Sequence, residues 1–254
     1  MNIKILVAAH KAYQMPTDPM YMPIHVGKEG KELELGYVGD NTGDNISLKN
    51  PNFCELTGIY WAWKNLEADY IGLAHYRRHF SLKKGSDKWA SVLTSAQAEA
   101  LLKDTDVVLP KKRNYYIETV YDQYVHAHPA EGLDLALELA SQGGEGYKKA
   151  CDAMKKKKKT HIYNMFLMKK EIFDAYCGWL FPILFEVERK VDISSYSAYD
   201  KRIFGFLSER LLDVYLEANG ISYREIPVIF MEQQNWLKKG TDFLRRKFMP
   251  KKEG

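Results

Sequence analysis

A chain of 254 residues is long enough to bury one sizeable core. Its hydrophobic fraction of 46% and charged fraction of 28% exclude a disordered or fibrous class and are those of a globular protein. A net charge of +4 is too small alone to indicate a nucleic-acid partner, and no apolar run reaches the roughly 18 residues of a membrane span.

The run Ile3 to Ala9 is nearly continuous in apolar residues, as at the centre of a parallel sheet, and His10 and Lys11 follow it directly. It is short for a signal peptide and lacks a small-residue cleavage site, so it reads as the first strand of a cytoplasmic protein. Residues 12–52 lack periodicity and are rich in Pro, Gly, Asn and Asp, which predicts a long functional loop. Asn52 is the expected N-cap of a helix from Phe53 to Leu66. Tyr60, Trp61 and Trp63 on that helix are core candidates before they are a sugar platform.

Tyr70 to Ala74 is a second apolar strand, and it ends in His75, Tyr76, Arg77, Arg78 and His79. Ligands of open α/β sheets bind at the carboxyl ends of the strands, so this cluster is the leading anion site. Adjacent arginines on an extended chain point opposite ways, so one is expected to bind and the other to brace. The guanidinium fork matches a pair of phosphate oxygens and stays charged. A solvated strand end is the plain alternative.

Residues 91–103 read as a helix, and 106–110 as a strand closed by Pro110 and the basic run Lys111, Lys112 and Arg113. Residues 114–128 are mixed and aromatic-rich, and 130–154 are helical with a break at Gly143 and Gly144. The lysines 155–159 suit an exposed loop. A strand over 161–169 carries Asn164, and a helix over 171–189 holds Pro182, where a kink or break is expected. A helix over 200–219 ends at Gly220, and 222–230 form a last strand. Residues 235–254 form a basic amphipathic tail suited to a membrane surface, which leaves 1–234 as one domain.

Alternating strands and helices predict an α/β fold with a Rossmann-type sheet. The Gly-x-Gly-x-x-Gly fingerprint, the Walker loop and the Gly-x-Ser-x-Gly elbow are all absent. Cys54, Cys151 and Cys177 are far apart and lack metal-ligand spacing, so they read as structural thiols of a reducing compartment. His126 and His128 make a weak metal pair with no evident third ligand, and an exposed polar helix face is the better reading.

The order of these elements resembles GT-A nucleotide-sugar glycosyltransferases, in which a mid-sheet strand ends in Asp-x-Asp holding a divalent cation. Here the corresponding strand ends in His75-Tyr76-Arg77-Arg78. Fixed guanidinium groups can stabilise a leaving diphosphate as a metal does. An essential manganese or magnesium is therefore not expected at that strand, although Asp40 or Asp44 could contribute a ligand.

At finer grain, several segments resemble bacterial capsular and exopolysaccharide glycosyltransferases. They are Asp44-Asn45-Ile46-Ser47, Asn50 to Thr57, Tyr60 to Asn65, Gly72 to Arg78, Leu109 to Arg113, Asn164-Met165-Phe166 and Phe204 to Leu211. They run in consistent order through residues 3–232. The resemblance implies a GT-A-like mixed sheet flanked by helices. It also implies transfer of a sugar from a UDP-sugar, with galactofuranose the leading choice, to a growing and lipid-linked oligosaccharide.

On that resemblance Arg77 and Arg78 clamp the diphosphate, with His75 and Tyr76 beside them. His10 and Lys11 meet the nucleotide, Asp44 and Glu55 the uracil or ribose, and Asn164 a donor hydroxyl. Lys111, Lys112 and Arg113 assist on phosphate or a lipid carrier, with a solvated run as the alternative. Glu209 is the base that takes the acceptor proton in an inverting displacement, and Asp200 is the runner-up. A structural Glu209–Arg210 ion pair remains open. The competing class is a non-catalytic polyanion- or nucleic-acid-binding module, against which the absence of a nucleic-acid motif weighs.

Overall fold

In the computed structural model, residues 1–83, 85 and 87–233 are described, and the tail expected over 235–254 lies outside the described residues. The strands are β1 (Ile3–Ala9), β2 (Tyr21–His25), β3 (Val38–Gly39), β4 (Tyr70–His75), β5 (Arg78–Phe80) and β6 (Val107–Pro110). They continue with β7 (Arg113–Asn114), β8 (Lys159–Thr160), β9 (Phe166–Lys169), β10 (Arg224–Ile226) and β11 (Val228–Phe230). The helices are α1 (Asn50–Phe53), α2 (Leu56–Asn65), α3 (Ser95–Leu101), α4 (Val120–Val125), α5 (Glu131–Ser141), α6 (Glu145–Lys156), α7 (Lys170–Lys190) and α8 (Ile203–Ala218).

The main sheet runs β10-β6-β9-β4-β1-β2-β3, with β5 and β11 branching from β4. β1 pairs in parallel with β2 and β4, whereas β9 lies antiparallel between β4 and β6. A mixed sheet flanked by helices is what the sequence predicts, and the side chains obey its period of two. Leu6, Ala8, Ile71, Leu73, Val107 and Leu109 enter the core under α2 and α5 to α8. Ile5, Val7, Tyr70, Ala74 and Val108 enter the opposite core with Leu101 of α3.

Gly72 fixes how closely β9 approaches β4. A Cβ there would meet the Phe166 carbonyl oxygen at 2.7 Å and Ile5 Cγ1 at 3.2 Å. Gly72→Ala is expected to destabilise the fold by about 2–3 kcal/mol, because neither backbone nor core can yield. The check is a fall in the urea midpoint with an unchanged m-value.

Several expectations need correction. Residues 12–52 are not loop throughout, since they contain β2, β3 and the start of α1. Even-numbered residues of β2 face β1, as Ile5 N–H donating to Met20 O and Val26 N–H donating to Ala9 O show. Pro23 therefore turns to the outer side, where β3 reaches only Ile24 and His25, and it breaks no ladder. Asn52 lies within α1 and donates to the Lys201 carbonyl at 2.8 Å, so it does not cap α2. The helix expected over 91–103 shortens to α3, which starts at a Thr94 capping box with Gln97.

Lys155 and Lys156 end α6 and Lys159 begins β8, so the lysine run is not one loop. The strand around Asn164 starts only at Phe166, and α7 runs unbroken through Pro182. Pro227 divides the last strand, leaving β10 parallel to β6 and β11 antiparallel to β5. α8 ends as expected, with Gly220 at φ +61° and a Schellman pair of bonds, Gly220 N–H to Glu217 O and Ile221 N–H to Leu216 O. Among the described residues no helix is long and apolar enough to cross a membrane.

Candidate functional site

A cavity of about 600 Å³ opens at the carboxyl ends of β1 and β4 and is closed from the side by α8. That volume lies within the range of small-molecule sites. β1 delivers His10, the reversal from β4 to β5 delivers His75 to Arg78, and Arg113 and Tyr115 follow β6. Glu55 comes from the turn between α1 and α2, and Arg202, Phe206, Glu209 and Arg210 come from α8 and the turn before it. Five arginines (Arg77, Arg78, Arg113, Arg202 and Arg210) against two carboxylates, Glu55 and Glu209, make the lining strongly cationic.

The two neighbouring arginines differ in setting, but not through strand alternation, because Arg77 lies in the turn after β4 and Arg78 opens β5. Arg78 is mostly buried, with its guanidinium 4.5 Å from the Tyr163 ring centre and 5.9 Å from that of Phe230. Burial works against its charge. Arg77 stands at the rim, 3.3 Å from Glu232, with 43% of its side chain exposed. His10 meets the buried Tyr76 edge-on, and burial, reinforced by Arg77, lowers its pKa.

The centre of the site is the turn before β9. Tyr163 and Asn164 both have left-handed backbone, at φ +81° and +54°. Asn tolerates this conformation and Tyr does not, so the contacts of the turn hold Tyr163 there. Its N–H donates to Glu209 Oε1 at 2.8 Å, and its carbonyl accepts from His75 Nε2 at 2.6 Å. Arg210 donates to the other Glu209 oxygen at 2.9 Å and to Gln123 Oε1 at 3.0 Å. Burial raises the Glu209 pKa, the Arg210 charge and the Tyr163 N–H oppose that, and nearby Glu55 adds to it. Glu209 is thus both an ion-pair member and a cavity carboxylate with 18% of its side chain open.

His10, Glu55, His75, Tyr76, Arg77, Arg78, Arg113 and Glu209 meet in this cavity. The other candidates lie elsewhere. Asn164 is buried behind the wall, donating to Glu55 Oε1 at 2.8 Å and to the Gly205 carbonyl at 3.0 Å. Asp200 is buried against His128, whose Nδ1 it meets at 3.0 Å. Lys11 is exposed above the Tyr76 ring, and Lys111 is also exposed. Lys112 binds Tyr223 Oη and lies 3.4 Å from Asp213. Asp44 accepts from Tyr60 Oη at 3.1 Å.

Neither loop aspartate fits a cation on a donor diphosphate. Asp40 is fully buried and its oxygens are taken by the Gly27 and Lys28 N–H groups and the Ser47 hydroxyl. Among the described residues no three His, Cys, Asp or Glu side chains converge as metal ligands. His126 and His128 turn apart to Glu118 and Asp200. Tyr163, Arg202, Arg210, Gln123 and His128 join the site without having been singled out for it. Only the Glu209–Arg210 adjacency hinted at one of them.

A search of curated proteins finds no match to the chain. The family model of a domain of unknown function, DUF4422, matches residues 4–220. Among solved structures the chain is similar to WbbM, a bifunctional glycosyltransferase in its apo form, at 30% sequence identity and a TM-score of 0.85. The match covers 92% of this chain and 46% of that one, so the chain spans less than half of that protein's length. The mixed sheet with its helices is therefore a glycosyltransferase fold.

Proposed function

We propose that this chain, which belongs to the family of the domain of unknown function DUF4422, is a glycosyltransferase using a nucleotide-sugar donor. The observation that carries the reading is Glu209 set in an arginine-lined cavity at the strand ends, its carboxylate fixed from both sides by Tyr163 and Arg210. The WbbM likeness supports glycosyltransfer as the reaction class. The donor we favour is UDP-galactofuranose and the acceptor a growing surface oligosaccharide on a lipid carrier, both on sequence resemblance. Work at the inner face of the cell membrane, helped by the basic tail, belongs to the same reading.

In an inverting displacement the acceptor oxygen attacks the anomeric carbon while the bond to the diphosphate breaks. Glu209 takes the acceptor proton as that oxygen becomes nucleophilic. Negative charge grows on the departing diphosphate, and Arg78, with Arg77 and Arg113 also lining the cavity, stabilises it in place. Glu55, with His75 4.0 Å away and Asn164 bracing it, is positioned for a ribose or sugar hydroxyl. His10 and Tyr76 supply the nucleotide side.

The test is a thermal-shift titration with UDP, GDP, CMP and ADP, each with manganese and with EDTA. UDP at a hundred times its dissociation constant should add about 2.7 kcal/mol, or roughly 5–10 °C in melting temperature, and this should survive EDTA. A shift that needs manganese would assign the diphosphate partly to a cation. No shift with any nucleotide, together with steeply salt-dependent binding to polyanions, would move the protein to the binding-module class.

A further inference from the structure

We propose that Tyr199, Phe206 and His128 form an acceptor subsite in the cavity and that it takes a pyranoside ring. This rests on the transferase reading and adds the chemical class of the acceptor and the residues that meet it. The cavity has two chemically different sides. His10, Arg77, Arg78 and Arg113 make one cationic. The other is aromatic, with the His128 ring stacked 4.3 Å from Phe206 and 5.4 Å from Tyr199, and Tyr199 5.2 Å from Phe206.

Tyr199 keeps 50% of its surface exposed although it belongs to this packed group. The other aromatic candidates differ: Trp63 stacks on Phe181 and Tyr60 meets the same ring edge-on. An open aromatic face in a cavity wall suits the C–H face of a pyranose, whose hydroxyls then project outward to polar neighbours. Arg202 lies 5.6 Å from the Phe206 ring and brings N–H donors to that edge. Asp200 holds the His128 ring through Nδ1 at 3.0 Å and is itself fixed by the Ser197 hydroxyl at 2.6 Å. In this arrangement Asp200 is a positioning residue rather than a base.

Glu209 stands at the junction of the two sides. It reaches the cationic side through Tyr163, whose ring carries Arg78. Phe206 precedes it by three residues on α8, one turn away on the same helix face. A ring seated on Tyr199 and Phe206 presents a hydroxyl toward Glu209 while a diphosphate occupies the arginines.

The experiment is saturation-transfer NMR with methyl β-D-galactopyranoside and methyl β-D-glucopyranoside as probes, on the full chain with and without UDP. Wild type, Tyr199→Ala and Tyr199→Phe are compared, with the UDP thermal shift recorded on the same samples. Saturation should reach the ring protons of at least one probe, fall at least five-fold in Tyr199→Ala and persist in Tyr199→Phe, with equal UDP shifts throughout. Transfer at wild-type level in Tyr199→Ala, or none to either probe in wild type, overturns the subsite. Probe binding without any UDP shift overturns the nucleotide-sugar reading instead and leaves a saccharide site standing.

Discussion

Replacing Glu209 with glutamine should lower sugar transfer by about 10³-fold in kcat, within the range that a general base contributes. Glutamine keeps the shape and can still accept the Tyr163 N–H, so UDP binding should change little. What it loses is the capacity to take a proton. It also leaves Arg210, only 4% exposed and with no partner at Nε among the described residues, with one charge partner fewer. Some loss of melting temperature is therefore expected, and activity must be compared well below it.

The pH dependence follows from the same surroundings. Burial raises the Glu209 pKa above the usual carboxylate value, and only the ionised form can act as base. Activity should fall as pH drops through that raised pKa, so the acid limb of kcat/KM should lie above the ordinary glutamate range. Asp200→Asn should stay within about ten-fold of wild-type kcat, because that carboxylate is committed to His128 and Ser197. Wild-type turnover in Glu209→Gln would transfer the role to Glu55, the other carboxylate of the cavity.

Arg78→Ala should weaken UDP binding about a hundred-fold, equivalent to roughly 2.7 kcal/mol, by titration calorimetry. The guanidinium already packs against Tyr163 and Phe230, two rings that meet edge-on, before any ligand arrives, so little ordering is lost on binding. Arg77→Ala should cost less than ten-fold, since that side chain is exposed and already shares its charge with Glu232. Arg78→Lys should recover only part of the loss, because an ammonium cannot reproduce the fork. A larger effect at Arg77 than at Arg78 would reverse the assignment of binder and brace.

Much of this frame was legible along the chain. The apolar runs behind β1, β4 and β6 and the two long helices α7 and α8 are local patterns, and each formed close to its expected place. β2 was hidden by Pro23, which in isolation argues against a strand and is harmless only because that side of β2 carries no ladder there. The turn at Tyr163 was equally hidden, since nothing in residues 161–165 announces left-handed backbone at a tyrosine.

The alternation of strands and helices, the basic cluster that follows β4, and a helix bearing Glu209 can be read along the chain. These depend on periodicity and on which residue types follow an apolar run, which neighbouring residues encode. Which charges meet is set by the packing of distant segments. It insets β9 antiparallel between β4 and β6, and the turn before β9 thereby joins His75, Tyr163 and Glu209 across 88 and 46 residues of chain. It admits Arg202 and Arg210 to the cavity and leaves Lys11, Asp44 and Lys111 outside it. Convergence of this kind follows from sheet order and helix docking, and those are settled by burial of the whole core rather than by any one segment.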